Sequence, residues 1–316
     1  MGVVIGMDEA GYGPNFGPLV VTVTVWDVPG RPRETNFWKE FAPVVSRRAP
    51  SNGQRVHVAD SKQVYSPVRG LEALERSVLA TTTADGEPRP ETFRSLCATL
   101  TGVPADVLLE EPWFDGADLP LPHAQTCDSL PALCARWLAC CERRDIRLRA
   151  VRSEVVLTRR FNQLWQQHGG KGAALSRTSL RLLRSVWDPD SPEPTLIIAD
   201  KHGGRNRYDV LLSEVLDGQL VFGRSEGRER SDYRVGNTDI CFQTRAEAHF
   251  PVAVASMVSK YVRELAMTLF NRFWARHVDG LRPTQGYPGD SHRFRRDIAA
   301  TQERLGIADA VLWRER

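Results

Sequence analysis

Two stretches of the chain end an apolar run in acid and follow it with glycine. Residues 3 to 18 read Val-Val-Ile-Gly-Met-Asp8-Glu9-Ala-Gly11-Tyr12-Gly13-Pro-Asn-Phe-Gly17-Pro18. The apolar run, with β-branched Val3, Val4 and Ile5, predicts a strand buried on both faces. A carboxylate fixed by a sheet beside a sharply turning backbone suits a hard divalent cation, which takes oxygen ligands. Adjacent strand residues face opposite ways, so Asp8 and Glu9 share one ion only if the strand ends or bends between them, which the glycines permit. The plainer alternative is an acid pair in a solvated strand-to-loop turn. Thr195-Leu-Ile-Ile-Ala-Asp200-Lys201-His202-Gly203-Gly204-Arg205 repeats the pattern of strand, carboxylate and glycine turn, which argues against Asp200 being only a capping acid.

These acids need a sheet to hold them. Leu19 to Trp26 is a second β-branched run, placed to form an antiparallel hairpin with the first. Leu148 to Leu157 alternates as a strand, and helical patterns cover Leu71–Leu79, Ser129–Cys141, Ala173–Val186, a short piece within 207–216, Val252–Phe273 and Arg293–Leu305. Residues 223 to 236 read as an exposed loop or hairpin. Between 81 and 126, Pro88, Pro90, Pro104, Pro112, Pro120 and Pro122 break up short apolar fragments, which marks an insertion with a small helix near 91–100. Strands followed by helices, without a repeat, predict one α/β domain over residues 1–316 with about five central strands.

With 41% hydrophobic and 26% charged residues the chain of 316 has the composition of a soluble globular protein. No apolar stretch reaches the roughly 18 residues of a membrane span, and acids and glycines interrupt the opening run too early for a signal peptide, so a cytoplasmic site is expected. Cys97, Cys127, Cys134, Cys140, Cys141 and Cys241 include no Cys-x-x-Cys pair, which predicts reduced, mostly packed thiols. A net charge of +3 argues only weakly for a polyanionic partner. Arginine clusters at 143–152, 177–184 and 224–234 matter more, although such runs are usually solvated faces.

Four segments, in order, resemble the ribonuclease HII family, the type 2 ribonucleases H. Asp8-Glu-Ala-Gly-Tyr-Gly-Pro is similar to the family's Asp-Glu-Ala-Gly-Arg-Gly-Pro opening, and Asp60-Ser61-Lys62 to its Asp-Ser-Lys element. Glu247-Ala-His-Phe-Pro-Val-Ala-Val-Ala-Ser256-Met-Val-Ser-Lys260 resembles the helix that begins with Asp-Ala. Gly286-Tyr287-Pro288-Gly-Asp290 resembles the Gly-Tyr-Pro-Ser-Asp turn. The likeness covers roughly residues 1–65 and 148–305. It implies a ribonuclease H-like α/β fold, with a mixed central sheet flanked by helices, and places the family's metal-binding acids on Asp8, Glu9, Asp200 and Glu247.

The resemblance implies a metal-dependent endonuclease that uses Mg²⁺ or Mn²⁺ to cut the RNA strand of RNA/DNA hybrids, or a ribonucleotide-containing duplex, leaving 5′-phosphate and 3′-hydroxyl ends. Two ions about 4 Å apart would serve this reaction, with Asp8 as the bridging ligand. Nucleic-acid contacts are expected at Gly11, Tyr12, Gly13, Ser61, Lys62, Lys201, Arg205, Lys260 and Tyr287, with His202 also within reach of the scissile strand and the protein a monomer without a membrane partner. Tyr12 stands where the family has arginine, and Glu247 where it has aspartate. A ribonuclease H-like protein that grips nucleic acid without cutting it is therefore the alternative. A phosphotransferase of the actin-like fold would need a second phosphate loop, and none is evident.

Overall fold

In the computed structural model, residues 1–50, 54–83, 89–124, 129–216 and 218–315 are described. The strands of the main sheet are β1 (Gly2–Ala10), β2 (Leu19–Val28), β3 (Arg147–Val156), β4 (Thr195–Asp200), β5 (Phe222–Glu226), β6 (Arg230–Val235) and β7 (Thr238–Gln243). They lie in the order β3-β2-β1-β4-β7-β6-β5. β1 lies inside the sheet next to the central β4, antiparallel to β2 and parallel to β4, so the two acid-bearing strands lie side by side and run the same way. β7 continues the parallel set, whereas β3, β6 and β5 pair antiparallel to their neighbours.

The mixed sheet flanked by helices agrees with the expectation, but it has seven strands in place of about five. The extra pair is the β5–β6 hairpin, built from the segment whose sequence left loop and hairpin open. Its edge strand, β5, is exposed along its whole length, and without a buried face it had no apolar alternation to reveal it. A helix at Thr158–His168 is a further element beyond those expected.

Alternation along β1 divides the core. Val3, Ile5 and Met7 pack on one face beneath the Thr158–His168, Lys171–Val186 and Asp209–Val215 helices, whereas Val4 faces the other layer. That second layer is dominated by the helix Phe250–His277, buried over most of its length. Gly6 allows its close approach: a Cβ there would lie 2.3 Å from the Pro251 carbonyl carbon. The helix start is further pinned by Thr24, whose hydroxyl donates to the Pro251 carbonyl at 2.9 Å. The proline-rich region joins this same layer, with Trp113 edge-on to Phe270 at 4.9 Å between ring centroids.

β1 does not end or bend between its two acids. Its register with β2 runs unbroken through Asp8↔Thr22, Glu9↔Val21 and Ala10↔Val20. Asp8 thus shares the parity of Val4 and Gly6 and faces the long helix, and Glu9 that of Val3, Ile5 and Met7. Of the cysteines, Cys97, Cys134, Cys140, Cys141 and Cys241 are buried free thiols, and Cys127 lies outside the described residues. Among the described residues, no helix is long and apolar enough to cross a membrane.

Candidate active site

The carboxylates assemble where β1 and β4 end and the long helix begins. Asp8 is 6% exposed, and its Oδ1 accepts the Glu9 N–H at 2.8 Å. The Ser256 hydroxyl bonds its side chain, and Ser259 Oγ donates to its carbonyl at 3.2 Å, so the long helix fixes this part of β1. Asp200, the last residue of β4, accepts the Ala246 N–H at 3.3 Å. Glu247 sits on the single turn Ala246–Ala248 that leads into the helix. One short connection therefore supplies a ligand candidate and anchors another.

The four acids feel one another. Burial first, then Glu9, Asp200 and Glu247, hold the Asp8 carboxyl well above the usual carboxylate range. Burial, with Asp200 and Glu247, pushes Glu9 up to about 8, against the opposing pull of Lys62. Asp200 and Glu247 are raised mainly by burial, and each is further raised by Asp60. Asp60, the first residue of the Asp-Ser-Lys element, is a fifth acid of the cluster. It also caps the turn Ser61–Val64, accepting the Lys62 N–H at 2.9 Å. Burial works against the charge of Lys62, yet Asp60, Glu247, Asp8 and Asp200 hold its ammonium above its ordinary value.

The donors here are carboxylate oxygens, and Lys62 is the cation common to them, so their chemistry fits a hard divalent ion. Among the described residues, however, no three His, Cys, Asp or Glu side chains are gathered closely enough to hold a metal. The opposite parities of Asp8 and Glu9 on an unbroken strand account for part of that spacing.

Beside the acids, the glycine loop is held from beneath. Gly11 and Gly17 adopt φ of 90° and 78°, while Gly13 does not enter the left-handed region. Arg263, fully buried on the long helix, donates to the carbonyls of Pro18 at 2.7 Å, Phe16 at 3.0 Å and Gln285 at 3.1 Å. Arg314 is also buried, donates to the Gly11 carbonyl and lies 3.8 Å from the centre of the Phe161 ring. Burial pulls Arg314 down to about 9. Neither arginine was legible as part of the site, because their partners are backbone carbonyls that no residue type announces. Gly286 accepts the Asn15 N–H at 2.7 Å, which sets the half-exposed Tyr287 next to this loop.

Several expected nucleic-acid contacts are otherwise engaged. Lys201 is 6% exposed, and the three N–H donors of its Nζ are shared among four acceptors, the Arg205 carbonyl at 3.2 Å, Asn206 Oδ1 at 3.2 Å, the Gly227 carbonyl at 2.5 Å and Ser231 Oγ at 3.1 Å. It braces the β5–β6 hairpin, with no donor left for a phosphate. Lys260 is paired with Glu264 one turn along the helix and lies over the Tyr65 ring. Ser61 is buried, with its hydroxyl 3.2 Å from that of Ser256, and so supports the group that bonds Asp8. His202 is packed among Tyr208 and Phe242, and burial lowers it to about 3, leaving a neutral ring. Arg205 is half-buried, close enough to oppose the upward shift of Tyr12 that burial and Glu9 produce.

No family model matches the chain, and no curated protein matches it. Solved structures do. The chain is similar to type 2 ribonucleases H. It aligns with ribonuclease H2 from Pyrococcus horikoshii OT3 at 14% identity and a TM-score of 0.44, over 98% of this chain and 92% of that one. For Bst-RNase HIII in complex with Mn²⁺ the values are 19% and 0.46, over 99% and 65%. For the PCNA:RNase HII complex from Archaeoglobus fulgidus they are 12% and 0.43, over 99% and 94%. All three scores lie below 0.5, and the functional reading rests on the site's own residues.

Proposed function

We propose that the chain is a divergent type 2 ribonuclease H, a metal-dependent endonuclease that hydrolyses the RNA strand of RNA/DNA hybrids to 5′-phosphate and 3′-hydroxyl ends. The observation that carries this reading is the set of buried and half-buried carboxylates, Asp8, Glu9, Asp200 and Glu247, each held above its ordinary range by burial and neighbouring acids about the ends of two parallel strands. A stable fold has no use for that repulsion, and Mg²⁺ or Mn²⁺ would relieve it. Asp8, Glu9, Asp200 and Glu247 are the residues that would hold the ions. When bound, the ions supply an acidified water and charge compensation for the leaving 3′-oxygen. Lys62 offsets part of the cluster's charge, to which Asp60 adds. The glycine loop, strapped by Arg263 and Arg314, presents a fixed backbone to the sugar, with the exposed Tyr287 ring next to it for stacking.

Residues 81–126 belong in this reading to an insertion within one domain, of which Trp113 rests on the long helix. The non-cutting alternative draws on one observation, the ungathered carboxylates. Incubation of an end-labelled hybrid with Mg²⁺ or Mn²⁺, wild type beside Asp8→Asn, decides between them. Cleavage by wild type alone is expected. Equal inertness of the two proteins, with hybrid still bound, would establish the alternative.

A further inference from the structure

A nuclease must bring a polyanion against a cluster of carboxylates, so cations at the rim have to hold the phosphates. Two of the expected cations are spent: Lys201 and Lys260 are locked onto protein oxygens. Lys171 is not. It is half-buried, and no carboxylate lies within ion-pair distance of it among the described residues. Its ammonium sits 4.9 Å from the centre of the Tyr12 ring.

The Tyr12 ring is itself placed by glycine. A Cβ at Gly203 would lie 2.6 Å from the phenol oxygen, and one at Gly172, next to Lys171, would lie 3.5 Å away. The ring therefore fills a slot between the loop that follows Asp200 and the start of the Lys171–Val186 helix. Glu9 is near enough to raise the phenol. An aromatic face steers an ammonium but satisfies none of its three N–H donors strongly, so an anion can still take them.

We propose that Lys171, held by the Tyr12 ring, is a backbone-phosphate contact at the mouth of the acid cluster, with Tyr12 as its positioning residue. The assignment rests on the hybrid-binding reading above. The test is the affinity of the full-length protein for a fluorescent RNA/DNA hybrid, measured by anisotropy in chelator across a salt series. Each phosphate neutralised contributes about 0.9 to the slope of log K against log salt. Lys171→Gln is expected to weaken binding about fivefold at moderate salt and to flatten the slope by about one phosphate, while Lys171→Arg retains both. Tyr12→Leu is expected to weaken binding about twofold to threefold with the slope intact, because the charge remains but loses its guide.

Arg276→Gln, on an exposed site about 30 Å along the long helix from Ser256, is the control for charge at a distance. An unaltered slope in Lys171→Gln, or the same flattening in Arg276→Gln, overturns the assignment while tight wild-type binding leaves the enzyme reading standing. A wild type that does not bind hybrid overturns both.

Discussion

Two regions of this molecule bury carboxylates wholly or in part, and they treat them in opposite ways. Under the proline-rich region, Glu75 accepts the His123 N–H at 2.6 Å, the Ala124 N–H at 2.7 Å and the Tyr261 hydroxyl at 2.7 Å. Glu111 accepts the Thr158 N–H at 2.7 Å and the Trp113 indole N–H at 2.8 Å. At the end of the sheet, Asp8 and Glu9 are surrounded chiefly by other acids. Burial alone does not distinguish function from structure. The neighbours do: donors make a buried acid a fastener, and like charges make it a held-open binding site.

The largest expected effect breaks the second region only. Asp8→Asn should reduce metal-dependent hybrid cleavage by about a thousandfold or more, roughly 4 kcal/mol of transition-state stabilisation. The metal-free protein should be no less stable, since a repulsive charge has gone. A thermal melt without metal, run beside the cleavage assay, checks both halves. A variant that melts much earlier would mean that Asp8 is a fastener like Glu75.

Glu75→Ala is the converse. It strands the His123 and Ala124 amides and the Tyr261 hydroxyl, and should cost about 3 kcal/mol by urea unfolding. Cleavage per folded molecule should be unchanged. If activity falls further than the folded fraction does, the proline-rich region takes part in the reaction.

A smaller effect separates the regions by pH. The Glu9 carboxyl stands at about 8 in the folded protein against an ordinary 4.5. Between those values the unfolded chain has released a proton that the folded chain keeps, so metal-free stability from this group falls as pH rises through that window. Asp8 shifts in the same direction. Melting temperatures without metal should therefore decline from pH 5 to pH 8 more steeply in wild type than in Glu9→Gln. Mg²⁺ or Mn²⁺ should restore most at pH 8, by about 2.7 kcal/mol at a hundredfold excess over Kd. Parallel pH curves for the two proteins would remove Glu9 from the cluster.

How much of this was legible follows from where each partner lies in the chain. Asp8 and Glu9 are written beside the strand that carries them, and Asp200 repeats the pattern, so the sheet's end could be read directly. The engagement of Lys201 is not legible in sequence because its acceptors Gly227 and Ser231 arrive from a segment whose pattern leaves loop and hairpin open. The pairing of Lys260 is legible: Glu264 lies one helical turn on, the spacing at which such pairs form. Asp60 stood inside a quoted motif, but its approach to Asp200 and Glu247 depends on three distant segments meeting. The clamp of Arg263 and Arg314 had no signature at all, because carbonyl oxygens belong to every residue.

The smallest effect sharpens the comparison inside the glycine loop. Gly11 is held at φ 90°, and a Cβ there would lie 2.5 Å from the Pro18 carbonyl oxygen, so Gly11→Ala strains the fold itself. Gly13 is exposed, takes no left-handed angle and has nothing within 4 Å of the Cβ position. Gly13→Ala should therefore change stability by no more than about 0.5 kcal/mol. Because the protein leaves that space open, a loss of hybrid affinity in Gly13→Ala at unaltered melting temperature would place the nucleic-acid backbone there. Unchanged affinity would confine the close approach to Gly11 and Tyr12.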